Sequence, residues 1–314
     1  MTDRRALLLL LILAALWGSS YMFIKIGLDD DLSPAAIVFT RTLLGALALL
    51  PFALRRGAFR GIRPLLPLAV ALAAIQVAGP FLLISYGEQH VSSGLAGILV
   101  ASAPIFTALF APLFDTAERS SGAALAGILI GILGVGLIFG VDLGDAGSAL
   151  GGGLMVLAAS AGYAVGGFMV KRTFSALDAI GVVTTTMALS ALLSLPVAAA
   201  TPPAAAPAGG TIAAMLALGI GGTGIAFAIF YTLIAALGPA RASLVAYIAP
   251  GFAVFYGVTL RGEDLTITTI AGLVLIVGGS WLAGRGRRPP EPAPEAAAGA
   301  HPVELQPAAA AYDR

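Results

Sequence analysis

The sequence predicts an all-α membrane protein of ten transmembrane helices, arranged as two inverted five-helix repeats. Three observations carry this. The 314 residues are 59% hydrophobic and only 11% charged, with a mean hydropathy of +0.97, whereas a soluble domain is about a quarter charged. Apolar stretches of about 18 to 25 residues recur along the chain, each long enough to cross a hydrocarbon core as a helix. The chain also echoes itself at an offset of 146 residues, which sets Phe81 over Phe227, Pro104 over Pro250 and Phe106 over Phe252. The same offset places Trp17 over Tyr163 and Lys25 over Lys171 without a gap. Alanine and leucine matches mean little in so apolar a chain, but proline, lysine and aromatic positions are scarcer. They mark a duplication.

Composition also removes several function classes. A net charge of +1 provides no basic field for a nucleic-acid partner. Without cysteine there is no disulfide framework, thiolate nucleophile or cysteine-based metal site. Two histidines, His90 and His301, leave little material for metal catalysis. No cofactor and no metal is expected.

In chain order the apolar segments run near 6–27, 33–54, 64–87, 91–114, 120–141, 149–170, 177–200, 211–236, 240–260 and 266–284. The bilayer offers no water to backbone polar groups, so such segments are helical unless they close a barrel, and period-two alternation is missing. The first could pass for a cleaved signal peptide, since Arg4 and Arg5 precede a leucine-rich run. Its length, its continuation from Trp17 to Lys25 and the echo at Tyr163 to Lys171 identify a retained span. The third and fourth are divided only by a short polar stretch holding Glu88 and His90. The last stretch, 285–314, is rich in proline and alanine and reads as a disordered cytoplasmic tail.

Charge in the connections sets orientation. Arg4 and Arg5, then Arg55, Arg56, Arg60 and Arg63, then Arg119, Lys171 with Arg172, Arg241 and finally Arg285 fall on one side. Asp29 to Asp31, Glu88, Asp142, Asp145, Glu263 and Asp264 fall on the other. By the positive-inside rule both termini are cytoplasmic, with residues 1–5 as a short N-terminal segment. Repeats spanning 6–141 and 149–284, each with an odd number of helices, then cross the membrane in opposite senses. That is the architecture of secondary transporters with one central site.

Trp17 followed by Lys25 in the first helix, Phe39, Thr40 and Arg41 in the second, and Ala103 with Pro104 echoed by Ala249 with Pro250 resemble the EamA-type transporters of the drug/metabolite transporter superfamily. The resemblance covers about residues 6–284. It implies movement, mostly export, of amino acids and other small metabolites through a central cavity, and it leaves the cargo open.

Polar and aromatic side chains well inside apolar helices are the candidates for such a cavity, because facing lipid is expensive for them. Gln76 lies near the middle of the third helix. Trp17 and Tyr163 occupy equivalent mid-membrane places, away from the interfacial belts that normally hold these residues. Ser102 sits beside Pro104, and Tyr247 beside Pro250. Each proline removes a backbone donor, and paired breaks in corresponding helices point to a midplane site, although simple kinking accounts for them equally well. Phe227, Phe230 and Tyr231, with Phe81 and Tyr86, add stacking surface, or simply pack.

Arg41 is the basic residue deep inside a span, where a charge costs about 2.5 to 3.5 kcal/mol on the insertion scale. Pairing, with Glu88 or Asp29 to Asp31 nearby by depth, or snorkelling is the expectation, ahead of contact with an anionic substrate group. Its counterpart in the second repeat is the uncharged Met187. Lys25 is expected to snorkel beside Asp29. Arg41, Tyr86 and Glu88 are the coupling or gating candidates. Glu88 and His90 sit at the outer rim, where a solvated loop is the plain reading. Coupling is therefore either exchange down a gradient or the work of a rim acid.

Gly219 to Gly224 spells G-x-G-x-x-G, but inside an apolar span with no strand before it this is not a dinucleotide site. It permits close helix contact or local flexing instead. Gly127 with Gly131, and Gly162 with Gly166, fit small-xxx-small packing. An intramembrane enzyme would need clustered acid, base, nucleophile or metal ligands, and none is present. A channel would need charged rings or a filter, and the inverted repeat with scarce intramembrane charge favours a carrier, leaving a channel as the weaker alternative. The expected protein is a plasma-membrane exporter of a small neutral, amphipathic molecule such as an amino acid, with a multidrug efflux carrier as the alternative. Its partners are that substrate, the lipid bilayer and either a proton or an exchanged metabolite. Monomer and homodimer both remain open.

Overall fold

The computed structural model describes residues 3–114, 122–140 and 146–285. Eight helices are long and apolar enough to cross a membrane. They are α1 (Arg4–Asp29), α2 (Pro34–Arg56), α3 (Arg63–Gly87), α4 (Ser93–Phe114), α6 (Gly147–Phe174), α7 (Ala179–Ala200), α8 (Gly209–Leu237) and α10 (Ile267–Gly284). Two shorter apolar helices complete the set, α5 (Gly122–Gly140) and α9 (Val245–Arg261). Among the described residues every regular element is helical. The predicted tail, Arg119, Asp142 and Asp145 lie outside the described residues.

Local chemistry sets the helix ends. Ser33 accepts a hydrogen bond from the Ala36 amide at 3.2 Å, with Pro34 in the first turn. Ser92 caps α4 through the Leu95 amide at 3.3 Å, and Asp178 caps α7 through Ile180 at 2.8 Å. Each supplies an acceptor for an amide that the helix itself leaves bare. Gly57 and Gly262 close α2 and α9 with φ of 59° and 66°, a left-handed geometry that a Cβ disfavours.

Leucines such as Leu47, Leu113 and Leu133 cover the outside of the bundle. Inside, several buried hydroxyls return to their own helix: Thr42 donates to the Val38 carbonyl at 2.6 Å and Ser194 to the Ser190 carbonyl at 2.8 Å. That satisfies the hydroxyl without a partner from elsewhere.

Small residues let the helices approach. A Cβ placed on Gly279 of α10 would lie 2.6 Å from the Gly127 carbonyl and 2.6 Å from the Gly131 nitrogen of α5. One on Gly162 would lie 2.8 Å from the Ile75 carbonyl, so α6 rides directly on α3. Both small-xxx-small pairs are therefore helix seams. The packing pairs are α5 with α10, α2 with α7, α1 with α9 and α8, and α6 with α4 and α3.

Three helices carry π segments. α3 widens into a π segment over Ala73–Ala78, α8 over Ala217–Ile225, and α6 ends in one over Val170–Phe174. Such wide turns gather at functional sites. The G-x-G-x-x-G stretch lies in the second of these, where a Cβ on Gly222 would stand 2.7 Å from Ser20 Oγ and one on Gly224 2.6 Å from Ala48 Cβ. It is a contact surface for α1 and α2. The break in α4 falls at Ala101 and Ser102, so Pro104 begins the second half of the helix rather than interrupting a continuous one. In the ninth segment the break precedes Val245, after a short helix Pro239–Ala242, and Pro250 lies within α9.

Candidate functional site

A cavity of about 410 Å³ lies in the middle of the bundle. Its lining runs from Ile24 and Ile84 down to Ser175 and Leu177, in the connection between α6 and α7. The wall is chiefly aliphatic and aromatic. Trp17 packs against Phe227 and Phe230, with ring centroids 5.9 Å and 5.2 Å away, and Phe230 stands 5.7 Å from Tyr231.

Of the residues singled out in the sequence, the fold brings Trp17, Arg41, Gln76, Tyr163, Phe227, Tyr231 and Pro250 to this one cavity. Gln76 is delivered by the π segment of α3, lying against Gly166 of α6. Ser102 is not in the lining; it is 2% exposed and its hydroxyl donates to the Leu99 carbonyl at 2.6 Å. Pro104 is displaced by its neighbour Ala103, which does line the cavity. Tyr247 reaches toward α10 instead, 3.4 Å from the Ser280 carbonyl. Tyr86 is 39% exposed at the end of α3. Sequence reasoning passed over Tyr21, Ser20 and Thr186, which line the cavity. Tyr21 stands four positions beyond Trp17 and so shares its helix face, a signal that was available.

Arg41 neither snorkels nor finds a carboxylate. It is 6% exposed, its guanidinium carbon lies 3.7 Å from the centroid of the Phe81 ring, and one terminal nitrogen donates to Thr223 Oγ1 at 3.5 Å. Its Nε is buried without a hydrogen-bond partner. Tyr163, Tyr21 and the buried Glu88 lie in electrostatic reach of it, and of these the two tyrosines line the cavity.

The end of the bundle that carries the acidic connections is cross-linked by polar contacts. Arg261 pairs with Asp29, the Ala208 amide donates to Asp30 at 2.8 Å, and Thr201 donates to Ser33 at 2.8 Å. Glu263 accepts from the Ser93 and Gly94 amides at 2.8 Å and 2.9 Å, capping the start of α4, where a negative charge is favoured. Lys25 does not accompany Asp29; its Nζ donates to the Glu88 carbonyl at 2.5 Å. Glu88 is not a solvated rim residue either. It is fully buried, with both carboxylate oxygens lacking a hydrogen-bond partner. Burial pushes its carboxyl well above the usual carboxylate range, against the opposing pull of Lys25.

Fold and site together define a multi-span helical membrane protein with a central cavity walled by aliphatic and aromatic side chains, with polar links between helices at one end. The chain belongs to the EamA-like transporter family, which matches residues 4–140 and again 150–285. It is 30% identical over 267 residues to the uncharacterized inner membrane transporter YedA of Escherichia coli K12, covering 83% of this chain and 85% of that one. A probable terminal-alkyne amino-acid exporter of Streptantibioticus cattleyicolor is 32% identical over 140 residues, 43% of this chain and 44% of its own. A probable amino-acid metabolite efflux pump of Escherichia coli K12 is 28% identical over 158 residues, half of each chain. One crystal structure superposes with a TM-score of 0.64 at 21% identity, over 91% of this chain and 99% of that one; it shares the fold. These similarities point to transport rather than catalysis.

Proposed function

We propose that the protein is a secondary carrier that exports a small amphipathic metabolite, an amino acid or a close relative, across the plasma membrane by alternating access. The observation that carries this reading is the central cavity, reaching toward the Leu177 connection while polar links hold the Asp29, Glu88 and Glu263 end together. With the basic connections in the cytoplasm, this is an inward-facing state and both termini are cytoplasmic. Its size suits a metabolite rather than an ion filter.

Two inverted repeats, 6–141 and 149–284, would supply the two gates. In support, residues equivalent at the offset of 146 line the cavity in pairs: Trp17 with Tyr163, Arg41 with Met187, Phe81 with Phe227. Helix packing follows the same exchange, since α1 with α9 mirrors α6 with α4. The names of the partial relatives favour amino-acid cargo. The predominantly apolar wall favours the multidrug alternative as a second reading.

Counterflow tests the proposal. Proteoliposomes preloaded with unlabelled amino acids should accumulate labelled substrate transiently and saturably, and Trp17→Ala and Gln76→Ala should abolish the overshoot while remaining folded. Flux that does not saturate, or that is indifferent to internal substrate, would remove the carrier reading. Accumulation driven equally by unrelated lipophilic cations would favour multidrug efflux.

A further inference from the structure

Among the described residues that line the cavity, Arg41 carries the one formal charge. Arg41 lies on α2, more than nine-tenths buried, with Nε unpartnered and its guanidinium face held over Phe81. None of the described residues that line the cavity is acidic. Glu88, the nearby buried carboxylate, forms no hydrogen bond with it, and its own oxygens are unpartnered. A desolvated guanidinium left with an open donor is costly. Arg41 still lines the cavity with 6% of its surface open, so an anionic oxygen arriving there would meet the guanidinium, whose planar paired donors match a carboxylate well.

We infer that Arg41 is the seat for a substrate carboxylate, and that the cavity selects amphipathic molecules bearing one such group, their apolar part resting among Trp17, Phe227 and Phe230. This deepens the carrier reading and rests on it for the transport step. The asymmetry between repeats sets the stoichiometry. Met187 occupies the equivalent place on α7 and also lines the cavity, so the site offers one anion position. With no acidic lining residue, a substrate amine gains no ion pair there. Carboxylates without a cationic group are then accepted at least as well as zwitterions, and simple amines are refused. The cation–π contact with Phe81 fixes the guanidinium plane, and the Thr223 hydroxyl, itself donating to the Leu218 carbonyl at 3.0 Å, holds one terminal nitrogen.

Binding to the purified full chain decides the matter separately from flux. The protein has two tryptophans, so Trp281→Phe leaves Trp17 as the reporter inside the cavity. 3-Phenylpropionate, its methyl ester and 3-phenylpropylamine are titrated against Trp17 fluorescence. The acid should bind about tenfold or more tightly than the ester, as a charge-assisted pair implies, and the amine should not bind. Arg41→Gln should erase the preference while keeping ester binding. Arg41→Lys, which retains charge but loses the planar fork, should keep part of it and serves if the glutamine variant does not fold. Equal affinity for acid and ester in the Trp281→Phe protein, a preference that survives Arg41→Gln, or no response to any probe would overturn the assignment. Acid binding without flux would retain the seat and remove the carrier reading. Saturable flux of acid and ester at one rate would do the reverse.

Discussion

The two halves of the cavity are built from equivalent positions but different chemistry. The first half contributes Trp17, Arg41, Gln76 and Phe81; at the same places the second contributes Tyr163, Met187, Gly222 and Phe227. Backbone position is repeated, and so is the widened turn that presents Gln76 in α3 and Gly222 in α8. Polarity is concentrated in the first half. The second half supplies close approach, apolar surface and the uncharged hydroxyls of Tyr163, Ser175, Thr186 and Tyr231. On the proposed reading, the repeated scaffold holds a one-sided site suited to an asymmetric small molecule.

The largest effect should come from forcing the halves to match. Gly222→Gln would give the second half the amide of the first, but a Cβ there already meets Ser20 Oγ at 2.7 Å. Overpacking of this kind should cost about 3 kcal/mol, read as a clear fall in melting temperature. An unchanged melting temperature would mean that α1 and α8 are not in close contact.

Next in size is the aromatic pair. Trp17 packs on Phe227 and Phe230, so Trp17→Ala should weaken substrate binding about tenfold, and Tyr163→Ala should weaken it less. The reverse order in a binding titration would move the apolar seat to the second half.

Glu88 sharpens the comparison by pH, since its equivalent is Ile234. Burial raises the Glu88 pKa in the folded chain, so the folded state binds the proton more tightly than the unfolded one. Stability should therefore fall as pH rises from the ordinary carboxylate range toward the raised value. Glu88→Gln should flatten that slope in a melting-temperature series. A slope that is unchanged in this variant would show that another group is responsible.

The smallest effect belongs to Arg261 and Asp29, whose side chains are 22% and 50% exposed. Asp29→Asn should lower stability by less than about 1 kcal/mol, with the other links at that end still in place. A larger loss would make this pair the principal latch.

Hydropathy made the spans legible, because lipid leaves the backbone no other option. The offset between Trp17 and Tyr163 picked out two side chains that line one cavity, since both stand at equivalent places in the two segments that match the same family. The π segments were not legible, since nothing in the run from Ala73 to Ala78 distinguishes a wide turn from a regular one. Ser102 and Tyr247 were misplaced for a local reason. A hydroxyl in an apolar helix can reach a nearby carbonyl, so polarity alone does not aim it at a cavity. Depth along a helix places Glu88 and Lys25 at the rim but says nothing about tertiary contacts, which bury Glu88 and turn Lys25 to the Glu88 carbonyl.

The most direct test of alternating access uses the absence of native cysteine. Ala103→Cys places a thiol on the cavity wall, and a membrane-impermeant maleimide is applied to one face of oriented vesicles at a time. The account predicts labelling from the Leu177 side at rest, protection by bound substrate, and labelling from the Asp29 side only during exchange. Equal labelling from both sides at rest, or from neither under any condition, would contradict it.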